Sequence, residues 1–166
     1  MKNLLYKELR LALHPTAILF LFLSAMLLIP GYPYYVVFFY TCLGIFFICL
    51  NGRESRDIYY MMLLPIRKRQ IVQARFLLAV LLELVQLLLA TPFAFLRQTL
   101  IPGGNPVGMD ANIALFGLSF LLLGAFNYCF FTSYYRNPDK VGISFLLGSA
   151  ALAVLMIVSE AATYVV

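Results

Sequence analysis

Phe76-Leu-Leu-Ala-Val-Leu-Leu-Glu83-Leu-Val-Gln86-Leu-Leu-Leu-Ala-Thr-Pro-Phe-Ala-Phe95 is a run of twenty residues with one charge. About 20 apolar residues in helical conformation cross a hydrocarbon core about 30 Å thick, so the run reads as a transmembrane helix. The rest of the 166-residue chain has the same character, with 63% hydrophobic and 11% charged residues and a mean hydropathy of +0.93. Soluble domains carry about a quarter charged residues. The apolar material suffices for about five spans, which excludes a disordered chain, a disulfide-stapled secreted module and a nucleic-acid-binding domain. The fold class is all-α, a polytopic membrane protein.

Working outward from that run, charges and turn residues mark off five spans, at 16–29, 34–50, 76–95, 111–131 and 142–158. The first two are joined by the turn Pro30-Gly31-Tyr32-Pro33. Segment 51–75 holds eight of the nineteen charges and is too polar to span. Lys and Arg in short loops resist translocation. With the N-terminus in the cytoplasm, eleven of the twelve basic residues fall inside and only Arg97 outside. This places segments 51–75 and 132–140 in the cytoplasm and the C-terminus on the extracytoplasmic side. Tyr32, Tyr34, Tyr35, Tyr59, Tyr60, Tyr134 and Tyr135 gather near the boundaries, where an apolar ring and a wet hydroxyl both find their solvent.

Residues 1–14 precede the first span. Leu4, Leu5, Leu9 and Leu13 fall near one helical face, with Lys2, Lys7, Glu8 and Arg10 on the rest. That pattern is an interfacial amphipathic helix, and Pro15 disfavours helix at His14, setting a turn into the bilayer. In segment 51–75, Glu54-Ser-Arg56-Asp57-Ile-Tyr59-Tyr60-Met-Met-Leu-Leu64-Pro65 predicts a short helix, charged at its start and ended by proline. Ile66-Arg67-Lys68-Arg69-Gln70-Ile71-Val72 then starts a helix that runs into span three. A short helix lying along the membrane suits docking into a partner's groove. A basic loop that only fixes topology has the same composition.

The order of these features resembles the membrane subunits of type-two ATP-binding-cassette exporters, and more narrowly their small bacterial permeases. It is carried by the amphipathic N-terminal stretch, the tight first hairpin and the pattern Glu54…Asp57-x-Tyr59…Leu64-Pro65-x-x-Lys68-x-Gln70-Ile71-Val72 followed by Ala74-Arg75. The resemblance implies an elbow helix at 1–14, a coupling helix within 51–75 and six spans, of which the sixth has no counterpart among the five read here. It also implies pairing with another permease subunit, like or unlike, and contact with a cytoplasmic ATP-binding subunit through Glu54, Arg56, Asp57, Tyr59, Pro65, Arg67, Lys68 and Arg69. Ile66-Arg67 stands where such permeases often carry a Ser or Thr after the Leu-Pro, which removes a possible N-cap.

No G-x-x-x-x-G-K-[ST] loop and no Gly-Lys pair occurs, so ATP hydrolysis is expected in a separate subunit. Neither a cofactor nor a metal is expected: one His and three dispersed Cys offer no ligand spacing. No two catalytic-type side chains lie close within a span, which argues against an intramembrane enzyme. A non-transporting accessory or assembly protein is the alternative to a permease. Inside span three, Glu83 is costly if it faces lipid. Gln86 lies on the same side at i+3 and Ala79, Ala90 and Ala94 continue the stripe, as for a packing face or a cavity. An interhelical hydrogen bond and a place in a translocation path are both open for Glu83. Ser144 with Gly148, Ser149 with Ala153, and Gly117 with Gly124 are small-residue pairs suited to close helix approach, within the chain or across a dimer.

Overall fold

The structure is a computed structural model that describes residues 2–100, 105 and 109–165, with side chains to residue 161. Among the described residues seven helices follow one another: α1 Lys2–Ala12, α2 Pro15–Leu28, α3 Tyr35–Glu54, α4 Asp57–Leu63, α5 Lys68–Leu100, α6 Ile113–Arg136 and α7 Val141–Val165. No strand occurs among the described residues. The connection expected over 96–110 falls partly outside them. Helices α3, α5, α6 and α7 are long and apolar enough to cross a membrane, and a fifth crossing requires taking the bent pair α1 and α2 together.

That fifth crossing differs from the plain α-helix expected over 16–29. Helix α2 is α-helical over Pro15–Phe22 and 3₁₀ over Leu23–Leu28. The tighter 3₁₀ turn rises about 2.0 Å per residue against 1.5 Å, so a short segment reaches about 24 Å. An 83° bend separates it from α1. The bend is built by His14-Pro15: His14 is extended, its Nδ1 accepts from the Thr16 amide at 3.3 Å, and Pro15 takes the first helical position, where no amide is needed. At the other end of α2 the chain reverses through Gly31, whose φ of 76° favours glycine.

Helix α5 begins at Lys68 and continues past the expected end of span three, for 33 residues or about 50 Å. Its first two turns therefore stand clear of the hydrocarbon. Pro92 removes one backbone bond within it, and the Thr91 hydroxyl donates to the Leu87 carbonyl at 2.9 Å nearby. Helix α6 starts at an Asn112 cap, whose side-chain oxygen accepts from the Leu115 amide at 3.1 Å.

The core lies between α3, α5, α6 and α7, around Phe38, Ile45, Leu115, Leu122, Phe126, Phe130 and Tyr134. On α6, Phe126, Phe130 and Tyr134 stack one turn apart with ring centroids 5.1 and 5.8 Å apart. Helix α7 packs against this ladder at Gly148, and the Ser144 hydroxyl bonds Ser133 at 3.0 Å. A Cβ at Gly148 would lie 2.8 Å from Phe126 Cδ2, whereas Gly117 and Gly124 face open space. Gly148→Val is accordingly expected to overpack this contact and cost about 1–3 kcal/mol. The same change at Gly117 should leave thermal unfolding in detergent nearly unaltered.

Candidate functional site

Most of the chain's basic residues sit at one end of the bundle, where α1, α4 and the start of α5 converge. The amphipathic pattern of α1 leaves Lys7 and Glu8 turned toward the bundle, and α4 begins at Asp57. Arg75, immediately before the apolar run of α5, reaches both carboxylates. Its Nε and Nη2 donate to Glu8, and Nη2 also donates to Asp57 at 2.6 Å. Lys7 Nζ donates to Asp57 at 2.6 and 2.8 Å and to Glu8 at 3.0 Å. Two cations and two carboxylates thus join three helices into one junction of zero net charge. Glu8 and Arg75 are 2% and 5% exposed. The guanidinium fits because Gly52 of α3 lies under it: a Cβ there would come within 3.0 Å of Nη1.

Helix α4 is held at a second point. The Tyr59 hydroxyl donates to Asp139 in the α6–α7 connection at 3.1 and 3.3 Å, and Arg53 Nη1 donates to the Asp139 carbonyl at 3.4 Å. That hydrogen bond, reinforced by the carboxylate's charge, holds the Tyr59 phenol above its ordinary pKa. Arg56, between α3 and α4, adopts the left-handed conformation with φ of 52° and reverses the chain into α4. The side chains of Glu54, Arg56, Arg67, Lys68 and Arg69, and Pro65, are exposed on the same end. Tyr60, Met62, Leu63 and Leu64 expose an apolar face along α4, Leu63 at 82%.

Within the bundle, Glu83 meets α6: its Oε2 accepts from Asn127 Nδ2 at 2.9 Å. Gln86 is fully buried beside it, one turn along α5. Glu83 Oε1, Asn127 Oδ1 and both polar atoms of the Gln86 amide have no partner. The stripe of Ala79, Ala90 and Ala94 is buried on the same face of α5.

A family model described as ABC-2 family transporter protein matches residues 3–164. The chain belongs to the ABC-2 transporter family. No curated protein and no solved structure matches it. Members of this family are the membrane components of transporters, which work in association with ATP-binding subunits, and the chain is a multi-pass ABC-2 permease.

At the permease's other end, Arg97 is buried and its Nε donates to the Tyr34 hydroxyl at 2.6 Å. Tyr35 donates to Glu160 of α7 at 2.7 Å. Tyr34 and Tyr35, expected at the membrane boundary, also fasten the start of α3 to α5 and α7 through their hydroxyls. Of the residues expected to face a partner, the structure brings Asp57 into the junction and Tyr59 onto Asp139, and leaves the others open. Sequence reasoning missed the pairing of Glu8 with Arg75 and that of Asp139 with Tyr59. The available signal was weak: each lies beside a basic residue or an apolar run that already explains it locally.

Proposed function

We propose that this permease couples ATP hydrolysis by a separate cytoplasmic subunit to export of a substrate across the membrane, with α1 as the elbow helix and α4 as the coupling helix. The observation that carries the reading is the wiring of α4. It is bound to α1 and α5 through Asp57 and to the α6–α7 connection through Tyr59, so a displacement of α4 is passed to the spans on either side. Its opposite face stays exposed and apolar, ringed by Glu54, Arg67, Lys68 and Arg69, which suits a groove on a partner with mixed charge. The basic residues at this end favour a cytoplasmic location with the C-terminus outside. Pairing with another permease subunit is supported by the open space over Gly117 and Gly124 on α6.

The test uses the permease purified together with an ATP-binding subunit that associates with it and returned to vesicles. Replacing Arg67, Lys68 and Arg69 together with alanine should leave folding intact, because all three are exposed. It should abolish most of the stimulation of ATP hydrolysis by the permease. A chain that binds an intact transporter, stimulates no hydrolysis and is indifferent to this change would be an accessory protein. Single cysteines placed at Ser55 and labelled by an impermeant reagent only after cells are opened would support the orientation; labelling of intact cells would reverse it.

A further inference from the structure

Glu83 takes no part in the wiring of α4. It lies midway along α5, eight positions and about 12 Å beyond Arg75, and its side chain is buried with those of Asn127 and Gln86. Among the described residues no cation pairs with it: α1 and α4 bring Lys7, Glu8 and Asp57 to the junction around Arg75, whose guanidinium is engaged there. Helix α2 packs on α5 without a titratable side chain, α3 brings the Cys42 thiol into the field of Glu83, and α6 brings the neutral amide of Asn127. An ionised carboxylate is costly in that setting. The hydrogen bonds point the same way. Asn127 Nδ2 donates to Glu83 Oε2 at 2.9 Å, while Glu83 Oε1 and Asn127 Oδ1, both acceptors, have no donor and no surface open to water. Two acceptors cannot bond each other, and neither a water molecule nor a metal ion finds room beside them. A proton needs no room. On Oε1 it turns one acceptor into a donor, and the Asn127 carbonyl, part of the amide already bonded to Oε2, receives it. One bond then satisfies two orphaned atoms, in the paired arrangement of a carboxylic acid with a carboxamide.

We propose that Glu83 is a proton-binding site in the middle of the membrane, held as the neutral acid with its Oε1–H donating to Asn127 Oδ1, and that it exchanges this proton with water only when α5 and α6 part. The carboxylate left by release would keep a single side-chain donor, the Asn127 amide, in a sealed apolar surrounding. Release therefore requires the contact to open and water to enter, and closure requires the proton to return from that water. Rearrangement between α5 and α6 is thereby tied to the protonation of one side chain.

The experiment is infrared difference spectroscopy of the full chain in lipid vesicles at neutral pH. The expected result is a C=O stretching band of a protonated carboxyl, set apart from the carboxylate bands, that is lost in Glu83→Gln. That variant keeps an oxygen for Asn127 and a donor in place of the O–H, so it tests the proton without emptying the site. The chain's other acids lie in the junction or near helix ends, where they ionise. Asn127→Leu, by removing both bonds to the acid, should move the band to higher frequency, whereas Gln86→Leu leaves those bonds intact and should not move it. On transfer to D2O the band should shift about tenfold more slowly in vesicles than after unfolding in a denaturing detergent, because exchange waits on local opening. Four outcomes would overturn the proposal: no protonated-carboxyl band in the wild type, a band undiminished in Glu83→Gln, a band unmoved in folded Asn127→Leu, or deuteration in vesicles as fast as in the unfolded chain.

Discussion

Replacing Arg75 by methionine is expected to destabilise the permease by about 3–5 kcal/mol, the usual result of removing one partner from a buried ionic group. Glu8, 2% exposed, would then share the junction with Asp57 and only Lys7 to compensate both carboxylates. Arg75→Lys should fall between the two, because an ammonium keeps the charge but lacks the planar fork by which Nε and Nη2 donate to Glu8 together. The informative comparison is Glu8→Leu with Arg75→Met. It removes a charge of each sign, leaves the Lys7–Asp57 pair intact, and fills the space with apolar groups of similar length. Such exchanges are often neutral or stabilising, so the double variant should regain most of the loss. Helical membrane proteins unfold irreversibly in many detergents, so the measurement is the half-life of folded protein at raised temperature, and the coupling comes from the full double-mutant cycle. A wild-type half-life for Arg75→Met would mean that the junction is a hydrated surface contact.

How the junction escaped the sequence has a physical reason. Apolar runs and basic flanks are local, additive signals: the run around Glu83 identifies its own helix, and the count of Lys and Arg needs no knowledge of which helices meet. Glu8 and Arg75 are 67 positions apart, and Tyr59 and Asp139 are 80 apart. Each had an adequate local explanation, Glu8 as the polar face of an amphipathic helix and Arg75 as a positive flank. Small-residue spacing shows the same limit. Gly117 with Gly124 and Ser144 with Gly148 look alike as patterns, yet only Gly148 faces a ring, Phe126, that occupies the place of its missing side chain. The uniform apolar run after Pro15 gave no sign that its second half tightens into a 3₁₀ helix. What did carry through was the requirement that Glu83 avoid lipid; what the run could not supply was its partner, since Asn127 lies in a separate span.

That partner defines the second large effect. Asn127→Leu is expected to cost about 1–3 kcal/mol, the range for a buried polar group left without its bond. Interhelical hydrogen bonds in membranes average only about 0.6 kcal/mol, with about 1.7 as the upper end. A larger figure is argued here from what remains. Glu83 Oε1 already lacks a partner, so losing the Asn127 amide strips the carboxyl of its one hydrogen bond to a side chain, and Gln86 beside it bonds nothing in compensation. Glu83→Met with Asn127→Leu removes both polar groups together, and the core of α3, α5 and α6 around them is apolar. The double variant should therefore be more stable than Asn127→Leu alone and come within about 1 kcal/mol of the wild type, as volume-conserving apolar replacements do. Glu83→Gln, which keeps an oxygen to accept from Asn127, should lie close to the wild type as well. A double variant as unstable as the single one would show that Glu83 draws its stabilisation from somewhere other than Asn127.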